Sequence, residues 1–172
     1  MADNGHTDTD MGLNAFFKET EKLKSMCVKV GITEDVGSQS VDNATLAQIG
    51  MWNELGVLGP PMSQHGGGKW FIPPRPFIRG FVDGKREQIA KTLDKLAALV
   101  SGGNLSADVA MARLGEYAQS GVKSYIRNGV FTPNADSTIQ KKGSSKPLIE
   151  NGTLRNSIRY QIIHKPVDQV SE

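Results

Sequence analysis

Three prolines set into one apolar stretch constrain this chain more than anything else in it. The stretch is Lys69-Trp70-Phe71-Ile72-Pro73-Pro74-Arg75-Pro76-Phe77-Ile78-Arg79. Each proline fixes its own φ and has no N–H to donate. Each also pushes the residue before it toward an extended backbone. The segment is therefore a stiff strap that cannot sit inside a central strand. Its apolar load (Trp70, Phe71, Ile72, Phe77 and Ile78) requires a surface to lie against. That surface is either the core of the strap's own domain or a neighbouring subunit. In the second case Trp70, Phe71 and Phe77 are anchors, with Arg75 and Arg79 as flanking charges. The two roles are compatible.

The chain around the strap is short enough, at 172 residues, for one domain. It is 38% hydrophobic but only 6% aromatic, with 19 glycines, so it can bury a modest, loop-rich core. The formal net charge is +2, which does not demand a nucleic-acid binder. The charge is uneven, however. Ser120 to Lys165 holds eight basic residues (Lys123, Arg127, Lys141, Lys142, Lys146, Arg155, Arg159, Lys165) and two acidic ones (Asp136, Glu150). That segment is +6, leaving −4 for the remainder. Such polarity suits head-to-tail packing of like subunits or a basic face toward an acidic partner, against a default of simple solvation. The single cysteine, Cys27, excludes an internal disulfide framework, and no stretch is apolar enough to span a membrane. The acidic, polar start is unlike a signal peptide, which points to assembly in a reducing cytoplasm.

Residues 1–10 read as a disordered leader, 11–165 as a single α+β domain, and 166–172 as a frayed tail. Within the domain, Met11 to Lys24 reads as a weakly amphipathic helix. Val28, Val30 and Ile32 alternate in a strand over 26–32. Residues 33–41 read as a polar loop. Asn43 is the candidate N-cap of a helix to Leu55, closed by Gly56. Residues 57–69, rich in glycine, read as a mobile loop. Asp83 is the candidate cap of a long helix over 84–100, with a stripe at Ile89, Leu93, Leu96 and Val100. Ser106 caps a second long helix to Asn128, antiparallel to the first across a short link. A short helix near 136–141, a turn on Asn151-Gly152 and a last strand through Ile158, Tyr160 and Ile162 complete the chain. The two strands and the strap are expected to form one small mixed or antiparallel sheet on which the long helices pack.

No catalytic constellation emerges. His6, His65 and His164 lack metal-ligand spacing with one another or with Cys27, which reads as a small buried hydrophobe. Gly66-Gly67-Gly68-Lys69 fails the phosphate-loop pattern, because Trp70 stands where Ser or Thr would hold magnesium. Lys141, Lys142 and Lys146 are able to touch a nucleic-acid backbone, but no aromatics interleave them for base stacking. No catalytic residue, cofactor or metal is assigned.

Two blocks carry a resemblance. The first is Trp52-Asn53-Glu54-Leu55-Gly56, followed after the glycine-rich loop by Ile72-Pro73-Pro74-Arg75-Pro76-Phe77-Ile78-Arg79. The second runs from Thr138 through Lys146-Pro147-Leu148-Ile149-Glu150-Asn151-Gly152-Thr153-Leu154 to Ile158. Both resemble, in order, signatures of the neck and tail-completion morphogenesis proteins of tailed bacteriophages, including relatives of the minor tail protein Z. The likeness spans roughly residues 25–165. Leu55 replaces the usual aromatic, Val57 a common Thr, and Asn151 a second acidic position. The resemblance implies a small α+β fold without catalysis. It implies copies arranged in a ring at the head–tail junction or the proximal end of the tail tube. Partners would be other copies, together with neighbouring neck, head-completion, tail-terminator or tail-tube proteins, and genomic DNA transiently in the lumen. On that reading one subunit patch is Trp70, Phe71, Arg75, Phe77 and Arg79. The other, in the 138–159 region, acts through Lys146, Leu148, Arg155 and Arg159. The alternative is a basic module that contacts DNA in packaging or ejection.

Overall fold

A computed structural model describes residues 12–41, 44–59, 70–143, 145–148 and 152–164. The leader at 1–10, most of the loop at 57–69, Asn43, Asn151 and the tail at 166–172 lie outside the described residues. The fold is α+β, with small antiparallel ribbons packed against helices.

Helix α1 (Leu13–Lys24) leads through one turn into β1 (Met26–Ile32). β1 pairs antiparallel with β6 (Ile158–His164), with Met26 opposite His164 and Ile32 opposite Ile158. The alternation read from sequence holds in both strands. Val28, Val30, Ile32, Ile158 and Ile162 pack inward from this ribbon, while Lys29 and Arg159 are exposed. One long helix, α5 (Ala107–Asn128), covers the ribbon, and a second, α4 (Ile78–Ser101), packs antiparallel against α5. The expected Ser106 cap is present, its hydroxyl accepting from the Val109 N–H at 3.4 Å. At Gly121 the helices approach closely, since a β-carbon there would meet the Phe81 ring at 2.2 Å. The main core is Phe77, Phe81, Val122, Ile126, Leu154 and Ile158. A second cluster, Met26, Ala107 and Met111, joins the ribbon to the start of α5. α1 is fastened there too: the Glu19 carboxylate accepts from the Ala107 N–H at 2.7 Å, and Lys22 pairs with Asp108.

The structure corrects several expectations. The segment read as a polar loop contains a turn of helix, α2 (Glu34–Gly37), and a strand, β2 (Ser40–Val41). β2 pairs with β3 (Ala44–Thr45). Helix α3 (Leu46–Leu55) is capped by Thr45 in a reciprocal capping box with Gln48. Part of the expected mobile loop is ordered as β4 (Val57–Gly59), which pairs with β5 (Trp70–Ile72). The strap therefore does not join β1 and β6, and the described residues form three two-stranded ribbons rather than one sheet. Pairing stops at Ile72 because Pro73 and Pro74 have no N–H to extend the ladder. Helix α4 starts at Ile78, well before the expected Asp83 cap, for a reason found in α3. Two further short helices, α6 (Asp136–Lys142) and α7 (Thr153–Asn156), precede β6.

Candidate functional site

The first motif block acts as a lock between α3 and α4. Near the end of α3, the Glu54 carboxylate reaches across to three backbone donors. Its Oε2 accepts from the N–H groups of Phe77 at 2.7 Å and Ile78 at 3.0 Å, and its Oε1 from Arg79 at 2.9 Å. These are N–H groups that the first turn of a helix leaves without intrahelical partners. A carboxylate there also meets the positive end of the helix dipole. The neighbouring Asn53 carbonyl accepts from the Arg75 N–H at 2.6 Å. Gly56 follows with φ 75°, and a β-carbon on it would stand 2.9 Å from Pro74 Cδ. Only glycine meets both demands. Asn53, Glu54 and Gly56 thus each hold one part of the strap.

The strap in turn holds the segment just ahead of the second block. Arg75 is 6% exposed. Its Nε donates to the Thr132 carbonyl at 2.7 Å, and its Nη2 to the Pro133 carbonyl at 3.0 Å and Asn134 Oδ1 at 3.3 Å. Burial lowers the Arg75 pKa from its ordinary value. The Asn134 amide then donates to the Lys146 carbonyl at 3.4 Å. Leu148, held in left-handed backbone at φ 61°, packs against the main core, to which Leu154 belongs. Trp52, Phe71, Ile72, Arg75, Leu148 and Leu154 are among the residues lining a groove of about 620 Å³ between the blocks.

Two members of the expected subunit patch are corrected by this arrangement. Phe77 is wholly buried in its own core, and Arg75 is turned inward onto carbonyls. The strap docks on its own domain. Replacing Arg75 with lysine should lower stability by about 2 kcal/mol in urea unfolding, because an ammonium cannot span three acceptors as the guanidinium fork does. Unchanged stability would mean that the fork is not what ties the blocks together.

Other expected residues do reach the surface. Phe71 is 65% exposed, Arg79, Lys146 and Arg159 are exposed, and Arg155 is half-buried. The Trp70 side chain lies outside the described residues. Sequence reasoning missed Met51, Leu55 and Leu58, which are large, apolar and exposed. Leu58 stands opposite Phe71 across the β4–β5 ribbon, and Met51 and Leu55 are one turn apart on α3. The available signal was the Val57–Leu58 pair directly after Gly56, hidden by reading 57–69 as loop.

A separate cluster joins α5 to the α7–β6 turn. Burial lowers the Lys123 pKa, and the like charges of Arg159 and Arg155 lower it further. Both guanidiniums are oriented by Asn156. Arg155 donates to its Oδ1 from Nε at 3.3 Å and Nη2 at 3.1 Å, and Arg159 Nη1 donates to its carbonyl at 2.5 Å. Cys27 is half-buried rather than buried, and His164 is exposed at the end of β6. Among the described residues no group of three His, Cys, Asp or Glu side chains is placed to hold a metal ion, and no helix is long and apolar enough to cross a membrane. Comparisons with protein-family models, with curated proteins and with solved structures returned no match.

Proposed function

We propose that this protein is a structural subunit of a tailed-bacteriophage virion. Copies assemble into a ring at the head–tail junction or at the proximal end of the tail tube. The observation that carries the reading is the convergence of the two motif blocks. They lie 59 positions apart at their nearest ends, Arg79 and Thr138, yet Glu54 and Arg75 of the first are linked to Lys146 of the second through Asn134, which stands just ahead of it. The residues that carry the resemblance thus cooperate in space.

The exposed apolar side chains lie beside this unit. Leu58 is 63% exposed and Phe71 65%, both on a ribbon of two strands. An isolated two-stranded ribbon is marginal in water. Large side chains held outward on one are suited to burial against another subunit. A ring of like copies requires heterologous contacts, in which this patch meets a different patch on the next copy. The apposed surface is drawn from the second block, through Lys146 and Leu148.

The test is the mass of the purified protein by light scattering, alone and then mixed with purified tail tubes and with DNA-filled heads. The expected result is binding to one particle at fixed stoichiometry. The double variant Leu58→Asp, Phe71→Asp should remain folded and fail to assemble. A wild-type protein that stays monomeric and ignores both particles overturns the reading. So does a double variant that assembles normally.

A further inference from the structure

We propose that Lys123, Arg155 and Arg159 form a surface for the phosphodiester backbone of nucleic acid, bound without regard to base sequence. Three cations converge here from three elements packed on one another, Lys123 on α5, Arg155 on α7 and Arg159 on β6. Clustered like charges repel, and partial burial of one deepens the cost. Surface cations of this kind are ordinarily offset by nearby carboxylates. Among the described residues no carboxylate pairs with Lys123, Arg155 or Arg159: the three ion pairs are Lys22–Asp108, Lys24–Glu21 and Lys91–Glu87, all elsewhere. Arg127, exposed one turn beyond Lys123 on α5, extends the same sign. Between 120 and 164 the described residues include one carboxylate, Asp136, and Glu150 lies outside them.

The geometry favours an anion with several oxygens. Asn156 orients both guanidiniums, by its Oδ1 for Arg155 and its carbonyl for Arg159. Oriented forks suit phosphate oxygens, and a lysine beside them supplies a point charge. An acidic protein surface is the competing partner, but protein surfaces carry both signs, and the carboxylate that shares this side of α5, exposed Glu116, stands two turns from Lys123. The ring that follows Arg159 in the chain, Tyr160, lies over Gly115 of α5, where a β-carbon would meet it at 2.2 Å. It is engaged in packing rather than offered as a stacking platform. Contact is therefore with the backbone, and base identity is not read. The proposal takes Arg155 and Arg159 away from the subunit contact expected from sequence. It does not depend on ring assembly, since the readout is binding by the protein in solution.

The experiment is fluorescence anisotropy of a labelled mixed-sequence DNA duplex titrated with the full chain across salt concentrations. Three phosphate contacts should weaken binding roughly fortyfold between ~50 and ~200 mM salt. The variant Lys123→Gln, Arg155→Gln, Arg159→Gln should lose at least about tenfold in affinity at the lower salt, with its light-scattering mass unchanged. A charge-matched control, Lys85→Gln, Lys91→Gln, Lys95→Gln on α4, should bind as wild type does. Lys123→Gln alone disturbs no hydrogen bond among the described residues, and it should flatten the log–log salt slope by about 0.9. That single variant carries the test if the triple variant melts early. Absence of duplex binding at ~50 mM salt overturns the proposal. Equal losses in both triple variants overturn it as net-charge attraction. Loss of assembly in the cluster variant with duplex affinity retained, or tighter binding of a polyglutamate peptide than of the duplex, assigns the cluster to a protein partner instead.

Discussion

Replacing Glu54 with alanine should lower stability by about 3 kcal/mol, more than any single polar change within the strap that it holds. One carboxylate accepts three backbone N–H bonds at 2.7 to 3.0 Å from Phe77, Ile78 and Arg79. Hydrogen bonds to a charged group are worth roughly 1.5–3 kcal/mol each. The full sum is not reached, because water can replace the bond at exposed Arg79. It replaces the bond at Phe77 poorly, since that residue is buried. Glu54→Gln keeps an acceptor oxygen but loses the charge and one of the two acceptor atoms, so a loss of about 1–2 kcal/mol is expected. The check is urea unfolding followed by circular dichroism. An alanine variant within 1 kcal/mol of wild type would show that the carboxylate does not set the start of α4.

The same contact explains what could and could not be read from the chain. Local patterns were legible. Alternation marked β1 and β6, and the 3.6-residue stripe marked α4 and α5, although Leu93 of the α4 stripe is exposed while Leu96 and Val100 are buried. Ser106 was legible as a cap because its partner Val109 is three residues away. The start of α4 was not legible, because its cap comes from Glu54, 24 residues before Ile78. With no nearby Ser, Thr, Asp or Asn ahead of Ile78, local rules settled on Asp83, which instead sits exposed within the helix. The β4–β5 ribbon was hidden similarly. Its strands are three residues each and pair across a glycine-rich insertion, so neither is long enough to show a period. Within the candidate site, Phe71 lies at the surface, where a contact residue was expected, whereas Arg75 was misplaced. An arginine beside an apolar strap reads as a surface charge until the carbonyls at 132 and 133 are seen to fold over it.

Phe77→Ala should cost about 4 kcal/mol, the largest effect of any truncation in the strap, while Phe71→Ala should change stability by less than about 0.5 kcal/mol. The two phenylalanines look equivalent in sequence: each sits in the strap beside an isoleucine. Their environments are opposite. Phe77 is 0% exposed and belongs to the core with Phe81, Val122, Ile126, Leu154 and Ile158. Removing its ring leaves a cavity walled by both long helices and by the start of β6, which the packed helices cannot close. Phe71 loses only surface already in contact with water. Paired urea titrations of the two variants decide the matter. A Phe77→Ala protein within about 1.5 kcal/mol of wild type would mean that the core tolerates the loss and that the strap is held by its polar bonds alone. The consequence for assembly follows directly. A charged residue at 77 would abolish folding before any subunit contact formed, so its failure to assemble would say nothing about an interface. Charges at 58 and 71 leave the core untouched, and failure to assemble in that variant reports on the surface itself.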